Sequence, residues 1–256
     1  MQKKSFLPFL FLLFLIKTSD SYSQGEAEAP VDSAVVQPQR RFGFMDANVY
    51  YDTREVSTFT LNYLAILNKR LVYFAFINYQ QGAIAKVKKL DDFDFFYSEH
   101  NLTYTPFLKI PIDINVQTVF IGGSGNDKLR FAPSWRVHNT PFLDKVCKKL
   151  NLSYGINFHI LQFGYHPPLD DFTWQMEHFY RFSILPKLTG NRIYLSGFAD
   201  HTMGGDIAKG LVTEHQLGIR LFDEFHAVAE YRYFSYFPEP YREGLALGLE
   251  YVVLFK

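Results

Sequence analysis

From Gly244 to Phe255 the chain alternates: Leu245, Leu247, Leu249, Tyr251, Val253 and Phe255 share one face, while Ala246, Gly248 and Glu250 share the other. A period of two is that of a β-strand. The pattern recurs along the chain in stretches of about ten residues, each with charges or amides on one parity and turn residues at its ends. A soluble sandwich buries one face and wets the other. Here the apolar parity is too aromatic for a wet surface, and the polar parity is too charged for a core. A closed transmembrane β-barrel, with lipid outside and a polar lumen inside, satisfies both faces.

The alternation predicts strands at 43–51, 56–67, 70–79, 93–105, 111–121, 129–138, 150–163, 172–185, 191–199, 213–222, 225–236 and 244–255. Their number, twelve, is even, as an all-β, antiparallel up-and-down barrel of outer-membrane type requires. Short turns at Asn68-Lys69, around Thr189-Gly190 and at Asp223-Glu224 fall at one end. The longer segments 80–92, 122–128, 164–171, 200–212 and 237–243 fall at the other and read as extracellular loops. Segment 139–149 is long for a periplasmic turn. Thr140 is placed to cap, Pro141 to begin a helix, and Phe142, Leu143 and Val146 to form its apolar stripe, so a short amphipathic helix is expected there. Twelve strands enclose a narrow lumen, between the filled eight-stranded and the wide sixteen-stranded types.

Composition agrees with this reading. Hydrophobic residues reach 48%, yet mean hydropathy is only −0.09, and beyond the N-terminus no apolar run approaches the roughly 18 residues of a membrane helix. The 17 Tyr and 27 Phe suit aromatic girdles at two bilayer interfaces. A net charge of zero removes the electrostatic basis for a nucleic-acid partner. With Cys147 as the single cysteine, no internal disulfide and no thiolate metal cluster can form. No cofactor or metal is expected.

Lys3 and Lys4 precede an apolar stretch from Phe6 to Ile16 interrupted by Pro8, and Ser21 and Ser23 fit a small-x-small cleavage site. Residues 1–23 therefore read as a signal peptide cleaved before Gln24. No cysteine follows the apolar stretch, which excludes a lipoprotein anchor. Residues 24–41, with Glu26, Glu28, Pro30 and Pro38, read as a flexible periplasmic lead-in. The barrel occupies 42–256, and the expected location is the bacterial outer membrane.

If Leu129, Phe131, Trp135 and Val137 face lipid, then Arg130, Ser134, Arg136 and His138 point inward. Strand 172–185 puts Phe172, Trp174, Met176, His178, Tyr180 and Phe182 outward, leaving Thr173, Gln175, Glu177, Phe179 and Arg181 inside. The remaining inward candidates are Glu99, Asn101 and Thr103; Tyr194, Ser196, Phe198 and Asp200; Glu214, Gln216 and Arg220; and His226, Glu230 and Arg232. A charge on the lipid face costs about 2–4 kcal/mol near the bilayer midplane, which fixes these directions. The charges serve either as a salt-bridged brace or, with Tyr194, Phe198 and Phe179, as a site that stacks and hydrogen-bonds a flat polar solute. The second option suits a nucleobase and its ribose. On parity alone, Phe198→Ala is expected to weaken solute binding with conductance largely unchanged, and Glu230→Gln to shift ion selectivity.

Three stretches carry a resemblance: Leu195 to His201, Thr213 to Gly218 and Ala229 to Tyr233, together with Phe95 to Leu102 earlier in the chain. They resemble the nucleoside-specific outer-membrane channels, the Tsx-like barrels. That resemblance implies a monomeric twelve-stranded barrel conducting nucleosides. The chain departs from the family in ending Phe255-Lys256 and in having Phe44, Tyr50 and Tyr51 where those channels are tryptophan-rich.

Other chemistries are weaker. A lipid hydrolase would need serine and histidine paired on the outer wall; His100, His178 and His215 have the outward parity, but no adequately spaced serine accompanies them. Gly122 to Gly125 lack the Lys-Ser/Thr of a phosphate loop. His159, His166, Asp170 and Asp171 match no established metal spacing. A structural barrel with a closed lumen is the remaining alternative.

Overall fold

The computed structural model describes residues 43–82, 95–122, 127–164, 174–203 and 210–255. The signal and lead-in segments fall outside them, as do Phe172, Thr173, His166, Asp170, Asp171, Gly123 to Gly125 and most of the four loops expected between 80 and 212. The strands are β1 (Gly43–Asp52), β2 (Val56–Asn68), β3 (Leu71–Gly82), β4 (Phe95–Tyr104), β5 (Ile112–Ile121), β6 (Lys128–Trp135), β7 (Leu152–His159), β8 (Leu161–Gly164), β9 (Trp174–Ser183), β10 (Ile193–Met203), β11 (Leu211–Phe222), β12 (Phe225–Phe234) and β13 (Glu243–Phe255). Two short helices, α1 (Leu143–Leu150) and α2 (Pro186–Thr189), lie in connections at one end.

All pairings are antiparallel, and β1 pairs with β13 while β5 pairs with β6, so the sheet closes on itself. β7 and β8 are halves of one stave. Between the pairs Ser134–Asn157 and Phe131–Leu161, β6 advances three residues and its partner four. The extra residue makes a bulge at Ile160. The barrel therefore has twelve staves, as the alternation predicts.

Its surface inverts that of a soluble protein. Val49, Tyr51, Ile114, Leu247 and Leu249 are exposed outside, whereas Asn48, Gln117 and Glu250 are buried inside. Only lipid can cover such an exterior without penalty. Closure also leaves no unpaired strand edge within the bilayer. Gly43 and Phe255 are paired strand ends near each other, so one end of the barrel carries both described termini. The turns between β2 and β3 and between β11 and β12 lie at this terminal end, with both helices; the opposite end carries the β3–β4, β5–β6, β9-preceding and β10–β11 loops.

Two details of the terminal end differ from expectation. β6 stops at Trp135, and Val137 to Asn139 form a 3₁₀ turn, so Arg136 and His138 leave the strand and Val137 is buried rather than lipid-facing. The Arg136 amide donates to Pro111 O, and the amides of Asn139 and Thr140 donate to Arg136 O and Val137 O, which turns the chain away. The helix exists, but it begins at Leu143 after Phe142, whose φ is 75°. Thr140 does not cap it: its hydroxyl accepts from Trp135 Nε1 at 2.8 Å instead.

Candidate functional site

The inward parity delivers a continuous polar lining, organised as two networks. In the first, Tyr50 donates to Gln216 Oε1 at 2.6 Å, Gln216 donates to the Tyr194 hydroxyl, and Tyr194 donates to Glu250 Oε2. β1 and β11 are three staves apart, as are β10 and β13. These side chains therefore span the lumen as chords. Arg232, buried, pairs with Glu230, donates to Thr58 Oγ1 at 3.0 Å on β2 and lies over the Tyr50 ring, 5.1 Å from its centroid. Arg181 covers the Tyr194 ring at 3.8 Å.

Space for these rings comes from glycine. A Cβ on Gly218 would overlap Tyr194, and one on Gly155 would overlap Phe179. Each ring therefore lies flat against the wall over a glycine.

The second network lines β4 to β9. Glu99 accepts from Tyr97 at 2.9 Å and from Asn101 at 2.8 Å. Arg130 donates to Gln117 Oε1 and to Gln162 Oε1, both at 2.7 Å. Glu177 accepts from Asn157 at 2.8 Å and lies 3.1 Å from His159 Nε2. Asp200 on β10 feels the charges of Glu177, Glu99 and Arg130, and its buried Oδ1 has no hydrogen-bond donor among the described residues.

Between the networks, Phe76 on β3 meets Phe198 on β10, ring centroids 6.4 Å apart and edge to face. These staves are six apart in a ring of twelve, directly opposite. Twelve strands about 4.8 Å apart and tilted about 40° make a round barrel roughly 24 Å across. A phenyl centroid stands about 4 Å from its own Cα, which would leave about 16 Å between opposed rings. The observed contact requires a flattened section. The contact lies between the two networks. Phe179, cross-strand from Phe198, and Arg181 both remain exposed on the inner wall.

Of the residues expected inside, Tyr194, Gln216, Glu230 and Arg232 join the first network, where Glu214 faces Arg232 across the β11–β12 pair. Glu99, Asn101 and Glu177 join the second, beside Asp200. Phe198 sits between them. Arg136 is apart from both, at the terminal rim, 2.9 Å from Asp113. Tyr50, Phe76 and His159 are the principal members that the alternation did not single out; Glu250 had the inward parity along 244–255 but was not counted among the site residues. On β1 the signal was present, since Asp46, Asn48, Tyr50 and Asp52 share one parity. On the outer wall, Tyr73, Tyr154 and Tyr180 bond Nδ1 of His100, His178 and His215 at 2.7, 2.7 and 2.9 Å.

No protein-family model matches the sequence, and no curated protein matches it. Solved structures do match in fold. The KdgM porin aligns with a TM-score of 0.50 at 10% identity over 81% of this chain and 98% of that one. The chain is a bacterial outer-membrane β-barrel. KdgM porin in complex with disordered oligogalacturonate aligns at 0.49 and 10% identity, covering 81% and 98% of the two chains. A triple mutant of the Rhodopseudomonas blastica porin aligns at 0.34 and 8% identity, covering 83% and 99%.

Proposed function

We propose that this barrel is a passive, non-catalytic channel for small polar solutes, with nucleosides as the leading candidate, and that it works as a monomer. Residues 1–23 would direct export and 24–41 would lead into the barrel. The observation that carries the reading is the Phe76–Phe198 contact, set between two walls rich in carboxylate and amide acceptors. A flat solute that parts the rings gains a stacking face on each side, while its hydroxyl and amino hydrogens find acceptors such as Asp200 Oδ1. A porin among the fold neighbours supports a channel. Engagement of His100, His178 and His215 by tyrosine hydroxyls argues against a hydrolase on the outer wall.

Liposomes containing the protein are expected to swell faster in nucleosides than in N-acetylhexosamines of similar mass. Equal rates would leave a general small-solute porin. Absence of swelling with every solute would favour the second reading, a closed structural barrel, which the burial of Arg232, His159, Gln117 and Glu250 supports.

A further inference from the structure

The terminal end is chemically unlike the opposite end. Its connections, 69–70, 105–111, 136–151, 184–192 and 223–224, hold nine Lys or Arg against three Asp or Glu. The connections at the other end, 53–55, 83–94, 122–127, 165–173, 204–210 and 235–242, hold six against nine in sequence. Large apolar side chains accompany the cations: Phe107, Phe142, Leu185 and Leu188 are 62%, 77%, 63% and 83% exposed.

Helix α1 combines both features. Leu143, Val146, Cys147 and Leu150 form one stripe, with Cys147 buried toward the barrel and Val146 and Leu150 exposed. Lys145, Lys148 and Lys149 occupy the opposite side. Lys148 bonds Asp144 at 3.0 Å and, with Lys145 beside it, holds that carboxyl below its ordinary range, so three lysines share the one carboxylate of the helix.

We propose that this end is a collar for anionic glycerophospholipid headgroups, with α1 lying along the bilayer surface. Phe142, Val146 and Leu150 enter the acyl boundary, and the three lysines reach lipid phosphates. An amphipathic helix with cations opposite its apolar stripe binds a membrane plane in this way. Each lysine near an anionic surface adds attraction that salt screens. Charge complementarity selects the occupant: a zwitterionic surface would leave the excess of cations uncompensated, and an apolar partner would leave them desolvated.

The two tryptophans provide the test. Trp135 closes β6 at the terminal end beside α1, and Trp174 opens β9 at the other. The full chain is folded into phosphatidylcholine vesicles containing phosphatidylglycerol, with one or the other lipid brominated on its acyl chains. In a Trp174→Phe variant, Trp135 is expected to be quenched about threefold or more in preference by the anionic lipid at low salt. In a Trp135→Phe variant, Trp174 should show no preference. Changing Lys145, Lys148 and Lys149 to Gln should abolish the preference, and changing them to Arg should retain it. Equal quenching of Trp135 by both lipids, a preference at Trp174 instead, or a preference that survives the Gln triple variant would overturn the proposal.

Discussion

Replacing Arg232 with Met is expected to destabilise the folded barrel by about 3–5 kcal/mol, because it strands the buried Glu230 carboxylate without its counter-charge. The loss extends beyond one ion pair. Arg232 also bonds Thr58, three staves away, and covers the Tyr50 ring, so its removal frees both ends of a chord that holds β12 against β2. Denaturant unfolding of the protein in lipid vesicles would measure the effect. Adding Glu230→Leu should recover much of the stability, since two apolar side chains replace the pair without leaving a buried charge. An Arg232→Met barrel as stable as the parent would show that the network does not brace the wall. The pairing also revises the expectation for Glu230→Gln. Glu230 is engaged in the wall, so a change of stability is expected ahead of a change of ion selectivity.

Opening the contact between Phe76 and Phe198 should have the second large effect. A Phe76→Ala, Phe198→Ala double variant removes both rings at the narrow section and is expected to raise single-channel conductance about two- to threefold, because the constriction sets the resistance of the pore. Solute affinity should fall by about 1–3 kcal/mol with the loss of stacking. Parity alone had left conductance unchanged on losing Phe198; the contact across the lumen reverses that expectation. Conductance equal to that of the parent would place the limiting constriction elsewhere.

The lipid-facing alternation was legible because lipid and lumen impose opposite chemistry on successive residues, as along Gly244 to Phe255. β3 was not legible in the same way. Leu71 to Ile77 is apolar on both parities, so only Asn78 and Gln80, further along the strand, share a polar parity with Phe76. The flattening was equally hidden, since it depends on contacts between staves far apart in sequence. At the end of β6, the alternation continues formally through Arg136 and His138. The strand stops because Pro111, opposite Arg136 in the β5–β6 register, has no N–H to return the ladder bond, and the amides of Asn139 and Thr140 fold back onto Arg136 O and Val137 O, neither of which a local pattern records. Likewise, the bulge at Ile160 interrupts a stretch whose apolar content reads as one strand.

The channel reading is tested most directly by recording ion current from the purified, folded protein in a planar lipid bilayer. Discrete current steps that nucleosides block in a concentration-dependent way are expected. A bilayer that stays silent while containing inserted, folded barrels would contradict it.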